Sequence, residues 1–295
     1  MAPAVTSLLA RCRFPEPGRP LTCAVSGGAD SLALLVLATA AGCDVTAVHV
    51  DHGLRPGSAA EASVVASAAR RFGAAFRSER VFVVPGPNLE ARARQGRMSV
   101  LPPGTATGHT ADDQAETILL NLLRGAGSDG LAGMRPGPAK PILSLRRWEA
   151  RQLCEELALT PVQDPSNADP AFLRNRVRHE LVPLLCDLAQ RDVVPVLVRQ
   201  AELLRDEADL LDGLAEAIDA ADGSALSDAA PALARRAVRR LLSDGSSGHP
   251  PSAAAVERVL GVARHQARGC EVEGGRRVRR SSGRLRVEHP VGPDG

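Results

Sequence analysis

The stretch AVSGGADSLALL, residues 24–35, decides the fold of this chain. An apolar strand pattern at Leu21–Val25 runs directly into the polar turn SGGADS, and an apolar helical pattern at Ser31–Ala41 follows at once. Two glycines let the turn fold tightly and bring its N–H groups close to an anion, while two serines add hydroxyl donors and the helix start adds a favourable dipole. The turn therefore predicts a phosphate-binding loop formed by Ser26, Gly27, Gly28, Ala29, Asp30 and Ser31.

Asp30 makes this loop more than a glycine turn between a strand and a helix. A carboxylate among phosphate-binding groups is favourable when a divalent cation bridges it to phosphate oxygens, as Mg²⁺ does. We therefore predict Asp30 as a Mg²⁺ ligand. The GxxxxGK[ST] pattern does not occur, which excludes a Walker A loop that cleaves at the γ-phosphate.

The first half of the chain alternates between strand and helix patterns. Such alternation predicts an α/β fold with a parallel sheet and helices on both faces, and ligands of such sheets bind at the carboxyl ends of the strands. A Gly/Pro-rich stretch at residues 125–141 is predicted to be a mobile loop. Further strand patterns lie at Asp44–Val50, Val81–Val84 and Thr105–Thr107, and helical patterns at Ala59–Phe72, Leu89–Met98 and Asp112–Arg124.

The second half is helical, and we predict a domain boundary near residue 190, between Pro183 and Leu203. Residues 1–190 would form the nucleotide-binding domain, and residues 191–295 a smaller helical domain that ends in a short β-meander with a Gly-Gly turn. The helical patterns are a seam of Leu197, Ala201, Leu204, Ala208, Leu211, Ala215 and Ile218, followed by Ala230–Leu242 and Ala253–Ala263.

The amino-acid composition argues against several classes of protein. The chain has 295 residues, 44% of them hydrophobic. Its uncharged stretches, including the 12 residues from Leu32, reach at most 14 residues, too few for a membrane span. Six cysteines without CxxC spacing, and no signal-like start, indicate a cytosolic protein with reduced thiols and no membrane partner. Aromatic residues make up 2% of the chain, which argues against a base-stacking platform.

Charge is unevenly distributed, although the net charge is only +2. Residues 206–228 contain eight acidic and no basic side chains, whereas residues 258–287 contain nine arginines against Glu271 and Glu273. The basic stretch favours a polyanionic partner. The alternative is a structural role in which these arginines pair with the acidic stretch.

Three more loops narrow the identity: HVDHGLRP from His49, GHTADDQAETILLNLLRGAG from Gly108 and DPSNADPAFLRNRVRHELVPLL from Asp164. The SGGxDS form resembles the PP-loop of ATP pyrophosphatases, with their adenine nucleotide alpha hydrolase-like fold, which activate a substrate as its adenylate and release pyrophosphate. With the three loops, residues 21–185 resemble the tRNA(Ile)-lysidine synthetase family, in its shorter form without a large C-terminal domain.

The resemblance implies a ligase that joins free L-lysine to C2 of the wobble cytidine in the CAU anticodon of tRNA(Ile). ATP is the co-substrate, Mg²⁺ the metal, and the modified tRNA reads AUA and is charged with isoleucine. The resemblance also implies site residues. Catalytic candidates are Asp30, Arg94, Arg97 and His109; substrate-binding candidates are Asp51, His52, Asp112, Asp113, Glu116, Arg174 and Arg178.

Two groups of these candidates also have a physical interpretation. Asp112 and Glu116 lie one turn apart on a predicted helix, where an acidic cluster suits a lysine ammonium or a metal, or simply complements the helix dipole. Arg174 and Arg178 are also one turn apart and can face nucleic acid or ATP phosphates, or form a solvated basic face.

Two other functions remain open at this point. A tRNA 2-thiolation enzyme of the same superfamily also adenylates a base, but it needs paired cysteines, which this chain lacks. A non-catalytic tRNA-binding protein would not need the intact SGGADS loop and acidic block. The sequence leaves a homodimer open.

Overall fold

The computed structural model describes residues 3–51, 58–82, 92, 96, 99–243 and 251–289. The chain divides into two compact units, Met1–Glu202 and Leu203–Gly295. Within the described residues no helix combines the length and apolar character needed to cross a membrane.

The first unit contains a four-stranded parallel sheet with strand order β3-β2-β1-β4, which confirms the predicted α/β class. Chain order runs outward from β1 through β2 to β3 and then returns to the other side of β1. Loops that follow β1 and β4 therefore diverge and open a crevice, where ligands of such sheets bind. The strands are β1 Pro20–Ala24, β2 Asp44–Asp51, β3 Ala75–Arg80 and β4 Ala106–Thr107.

A buried helix, α2 (Ala29–Ala40), follows β1 and positions the loop at its start. Its residues from Ser31 to Ala38 are all buried, because it contacts β1 and β2 as well as three neighbouring helices. A helix that is apolar all round is typical of a protein interior. Its first turn, which contains Asp30, is therefore held in a fixed place.

The predicted strand at Val81–Val84 was wrong. The strand is Ala75–Arg80, and residues 81 and 82 lie beyond it, whereas residues 83 and 84 lie outside the described part of the chain. Among the described residues, strand β3 pairs with β2 alone and forms the edge of the sheet, and most of its side chains are polar and exposed. Edge strands commonly carry charged side chains, which a search for apolar runs overlooks.

The Gly/Pro-rich stretch predicted to be a mobile loop has defined structure and is tied to a helix. The Gln114 side chain donates to Met134 O (3.0 Å) and accepts from Met134 N (2.8 Å). The Asn121 amide donates to Gly130 O at 2.7 Å. These bonds replace the regular backbone pairing that glycine and proline disfavour.

The remaining helices of the first unit surround the sheet. A π-helix at Val177–Leu181 interrupts the arginine-rich segment, and such π-turns occur frequently at functional sites. The helices are α1 Pro3–Leu9, α3 Ser58–Phe72, α4 Ala111–Leu123, α5 Ser128–Leu131, α6 Arg147–Glu156, α7 Leu173–Arg176, α8 Val182–Ala189 and α9 Val194–Glu216, the last of which continues into the second unit.

The second unit has its own apolar core, built from helices and a small antiparallel sheet of order β5-β6-β7. The seam of α9 is confirmed at Ala208 and Ala215, which are buried, while Ile218 lies beyond the helix end. The predicted β-meander is also confirmed, with Gly274 at the turn. The elements are α10 Gly223–Asp228, α11 Pro231–Ser243, α12 Ala253–Ala263, β5 Gly269–Val272, β6 Arg276–Ser281 and β7 Arg284–Glu288.

Candidate functional site

The loop after β1 has the shape of an anion-binding turn. Gly27 adopts a φ of +89°, which L side chains rarely adopt, and a Cβ there would lie 3.0 Å from Val162 Cγ2. Gly28 precedes the first turn of α2, and its carbonyl accepts a hydrogen bond from Ser31 Oγ at 2.8 Å. The Ser26 and Ser31 hydroxyl oxygens are 3.2 Å apart. Backbone N–H groups and two hydroxyls thus meet at a helix N-terminus, as anion binding requires.

The loop after β4 packs directly on this turn. A Cβ on Gly108 would lie 2.8 Å from the Asp30 carbonyl oxygen, so only glycine allows the two backbones to approach so closely. This contact brings His109 and the start of α4 beside the phosphate loop. The crevice between the loops is part of a cavity of about 1320 Å³ that is lined by Ser26, Asp30, His109, Asp113, Arg147 and Arg178, among others.

Asp30 fits a metal-binding role. Its Oδ1 is buried without a hydrogen-bond partner, and burial together with the nearby Asp113 raises the pKa of its carboxyl group to about 6, against the opposing effect of Arg147. Burial of a carboxylate oxygen without a partner costs free energy, and a bound cation would offset that cost. The described residues contain no group of three or more His, Cys, Asp or Glu side chains that could hold a metal. Phosphate oxygens and water would therefore supply the other ligands, which is the usual binding mode of Mg²⁺.

The acidic start of α4 divides into two parts with different neighbours. Asp113 caps the helix, because its Oδ2 accepts from both Thr110 N and Thr110 Oγ1 at 2.9 Å, while its Oδ1 accepts from Arg147 Nη2. Glu116 lies one turn along the same face with 2% of its side chain exposed. We call Asp113 and Glu116 the acidic pair. The sequence paired Asp112 with Glu116 instead.

Asp112 points to a different partner. Its carboxylate accepts from Arg146 Nε (3.1 Å), Arg146 Nη2 (3.2 Å) and the backbone N–H of Arg147 (2.8 Å). Arg146 also pairs with Asp192. Asp112 thus holds the N-terminus of α6 against α4, and the charged hydrogen bonds lower the pKa of its carboxyl group despite partial burial.

Three guanidinium groups converge on the acidic pair. Arg178 donates to Glu116 through Nε (2.7 Å) and Nη2 (3.1 Å), and Arg174 Nε donates to the same carboxylate at 2.9 Å. Arg147 Nη2 donates to both Asp113 Oδ1 (2.9 Å) and Glu116 Oε1 (3.0 Å). Arg174 and Arg178 do share a face, as their spacing predicts, and that face is directed at Glu116.

His109 is held by the last residue of β4. Its Nδ1 lies 2.7 Å from Thr107 Oγ1, and that hydroxyl donates to Ala139 O at 3.2 Å. When the single hydroxyl proton of Thr107 is donated to the carbonyl, Thr107 accepts a hydrogen bond from Nδ1–H. In that tautomer the lone pair of the His109 ring is on Nε2, the state of a proton acceptor.

The other predicted site residues are further from this cluster or outside the described chain. Asp51 ends β2 and lies 3.7 Å, between Oδ2 and Nε, from Arg80 of the edge strand. His52, Arg94 and Arg97 lie outside the described residues, as does most of the predicted helix Leu89–Met98.

Sequence reasoning missed Arg146 and Arg147, which begin α6. A usable signal was present, because two cations at a helix N-terminus oppose the helix dipole and need acidic partners. Desolvation alone would lower the pKa of Arg147, but the negative charges of Asp113, Glu116 and Asp30 raise it above its ordinary value.

Comparisons with known proteins identify the family. A family described as a PP-loop domain matches residues 2–185. The tRNA(Ile)-lysidine synthase of Nocardia farcinica is 41% identical over 253 residues, which cover 80% of this chain and 80% of that protein. The enzyme of that name from Rhodococcus jostii is 40% identical over 294 residues, which cover 92% of this chain and 90% of the relative. This chain belongs to the tRNA(Ile)-lysidine synthase family.

Among solved structures, the chain is similar to the U34-tRNA thiolase NcsA from Methanococcus maripaludis, which contains a [4Fe-4S] cluster. The TM-score is 0.53 at 17% identity, and the match covers 68% of this chain and 78% of that chain. At this identity the likeness shows a shared fold. All six cysteines of this protein are free thiols.

Proposed function

We propose that this protein is an ATP-dependent tRNA(Ile)-lysidine synthase. It joins free L-lysine to C2 of the wobble cytidine in the CAU anticodon through an adenylated cytidine, and it releases pyrophosphate and then AMP. The product tRNA reads AUA and is charged with isoleucine. The observation that carries the proposal is one cavity lined by both the phosphate loop and Asp113 of the acidic pair, with Arg147 in contact with Asp30 and Asp113.

The phosphate loop orients ATP for attack by the cytidine O2 on the α-phosphorus. The N–H groups of the loop, with the hydroxyls of Ser26 and Ser31, hold the phosphate oxygens, and Asp30 would hold Mg²⁺. When bound, Mg²⁺ would neutralise part of the phosphate charge. Arg94 and Arg97 are proposed to contact the activated cytidine. Positioning and charge neutralisation then supply most of the rate enhancement.

The acidic pair receives the lysine side chain, and His109 accepts a proton from its ammonium. The amine must lose that proton before it attacks C2, since only the neutral amine is nucleophilic. His109 suits this step in the tautomer in which Thr107 accepts from Nδ1–H, because the lone pair is then on Nε2. Asp51, His52, Arg174 and Arg178 are proposed as further substrate contacts.

Residues 191–295 are proposed to contact the tRNA through exposed arginines of the β-meander. The protein is proposed to act in the cytoplasm, where its six free thiols stay reduced. A homodimer is a further expectation, which light scattering of the purified protein checks.

Thiol chemistry argues against the 2-thiolation alternative. Among the described residues that line the cavity, Cys154 is the single cysteine, and burial raises the pKa of its thiol to about 11. A thiol with this pKa is protonated at neutral pH and is a poor sulfur carrier.

The function is tested by incubating the protein with ATP, Mg²⁺, labelled lysine and a tRNA(Ile) transcript, omitting one component at a time. We expect pyrophosphate release to need the transcript, and label to enter the tRNA only when all components are present. A transcript with a CAU→GAU anticodon is the matched control. Pyrophosphate release without lysine transfer would instead support another adenylating enzyme, and no release would support a binding protein.

A further inference from the structure

Arg147 contacts both halves of the site. Its Nε lies 3.5 Å from Asp30 Oδ2, in the phosphate loop, while its Nη2 donates to Asp113 and Glu116 of the acidic pair. Its side chain is 15% exposed, and its backbone N–H is fixed by Asp112. A single guanidinium thus links the carboxylate that fits the metal to the carboxylates that fit the lysine ammonium.

The charges in this region are balanced without any ligand. Asp30 and the acidic pair supply three negative charges, and Arg147, Arg174 and Arg178 supply three positive charges within 3.7 Å. An ammonium that enters a balanced, largely buried cluster gains little attraction and loses its hydration. One guanidinium must therefore leave the acidic pair before lysine binds well.

Arg147 is the guanidinium that nucleotide binding displaces most directly. Arg178 forms a two-point contact with Glu116, and the contacts of Arg174 do not reach the phosphate loop. Arg147, by contrast, lies beside Asp30, where a bound cation repels it and phosphate oxygens attract it.

We propose that Arg147 couples the two substrates: nucleotide bound at the phosphate loop draws Arg147 away from the acidic pair and so opens that pair to the lysine ammonium. This inference rests on the proposed function, because it takes lysine as the second substrate. Linkage requires the coupling to be reciprocal, so lysine also tightens nucleotide binding by the same factor. A factor of about tenfold is typical of such couplings.

The test is calorimetric titration of lysine into the full chain, alone and with saturating α,β-methylene-ATP and Mg²⁺, which allow binding without reaction. We expect lysine to bind about tenfold more tightly when the nucleotide is present. In Arg147→Gln, lysine should bind more tightly without nucleotide than it does to the parent, and the nucleotide should add little. A merely structural role for Arg147 would change the affinity in the opposite direction.

Arg146→Gln is the matched control, because Arg146 is adjacent in sequence but contacts Asp112 and Asp192 instead. It should keep the dependence of lysine affinity on nucleotide. Arg147→Lys keeps the buried charge with a shorter reach, so it should fold if Arg147→Gln does not and should show reduced coupling. Thermal melting checks that each variant is folded.

Equal lysine affinity with and without nucleotide in the parent protein would overturn the coupling while leaving the proposed function in place. Unchanged coupling in either Arg147 variant would overturn the role of this residue. If the parent binds no lysine in any state, the proposed function fails, and the coupling fails with it.

Discussion

At the scale of single residues, the fold disfavours the charged form of Asp30. The pKa of its carboxyl group is about 6 in the fold and near 3.8 in an unfolded chain, because burial and Asp113 disfavour the charge. The folded state therefore binds the extra proton. Its contribution to stability is fully present below pH 3.8 and is lost as the pH rises through 6.

Asp30→Asn removes the charge and keeps the shape, so the variant should melt at a higher temperature than the parent at pH 7.5 in EDTA. The expected gain is roughly 2–8 °C, and it should shrink towards pH 4. Calorimetric melts across this pH range check it.

The same variant, Asp30→Asn, should lose adenylation activity by about 100-fold or more at saturating Mg²⁺. A variant that adenylates at the parent rate would exclude Asp30 as the metal ligand.

Thr107 offers a second residue-scale test, because its hydroxyl lies 2.7 Å from His109 Nδ1 and can hold the tautomer with the lone pair on Nε2. Thr107→Val has nearly the same volume but cannot accept the hydrogen bond from Nδ1–H. Lysine transfer to preformed adenylate should slow by roughly 10–100-fold, while adenylation stays near the parent rate. Single-turnover measurements separate the two steps. Thr107→Ser restores the hydroxyl and should restore transfer; failure of this rescue would count against the tautomer argument.

At the scale of elements, helix α4 shows how far sequence reasoning reaches. Spacing alone identified the helix and its acidic residues, but it could not tell which carboxylates act together, since positions three and four apart both share a face. The contacts of α6 decide which carboxylates act together. Arg146 binds the carboxylate of Asp112, and Arg147 binds that of Asp113. Contacts between segments more than 30 residues apart leave no trace in local periodicity.

The two neighbouring aspartates therefore form a matched pair of variants. Asp113→Asn should raise the KM for lysine about tenfold, the cost of losing one charge-assisted hydrogen bond. Asp112→Asn should instead lower thermal stability, because Asp112 joins α4 to α6. Steady-state kinetics with lysine as the varied substrate checks the KM of both variants, and thermal melting checks the stability of Asp112→Asn. If Asp112→Asn raises the KM as much as Asp113→Asn, the original pairing of Asp112 with Glu116 is the correct one.

At the scale of the whole molecule, the nine arginines between residues 258 and 287 do not act as one group. Arg276 is buried and donates to Leu242 O at 2.8 Å, Arg280 donates to Ala263 O, and Arg284 pairs with Asp219 at 2.9 Å. These three contacts lie within the second unit, but of the three only Arg284 pairs with the acidic stretch 206–228 as the structural hypothesis predicts. Arg277, Arg279 and Arg286 are exposed on the outer face of the sheet.

This exposed face is where a tRNA phosphate would bind. Arg279 lies directly opposite Arg286 across the strand pair, where like charges destabilise a sheet, and Glu288 pairs with Arg279 at 3.4 Å. A phosphate on this face would add a second anion beside the three arginines. Removal of the whole meander would not test this, because Val278 and Leu285 belong to the core of the second unit. Substitution of the exposed side chains alone avoids that loss.

The triple variant Arg277→Gln, Arg279→Gln and Arg286→Gln should weaken tRNA binding and flatten its salt dependence. Each lost phosphate contact lowers the slope of log K against log salt by about one unit, because fewer counterions are released. The control, Arg13→Gln with Arg19→Gln and Arg70→Gln, removes the same charge from exposed positions of the first unit. Filter binding between 50 and 300 mM KCl measures both slopes. Equal slopes in the two variants would mean that net charge, and not this face of the meander, attracts the tRNA.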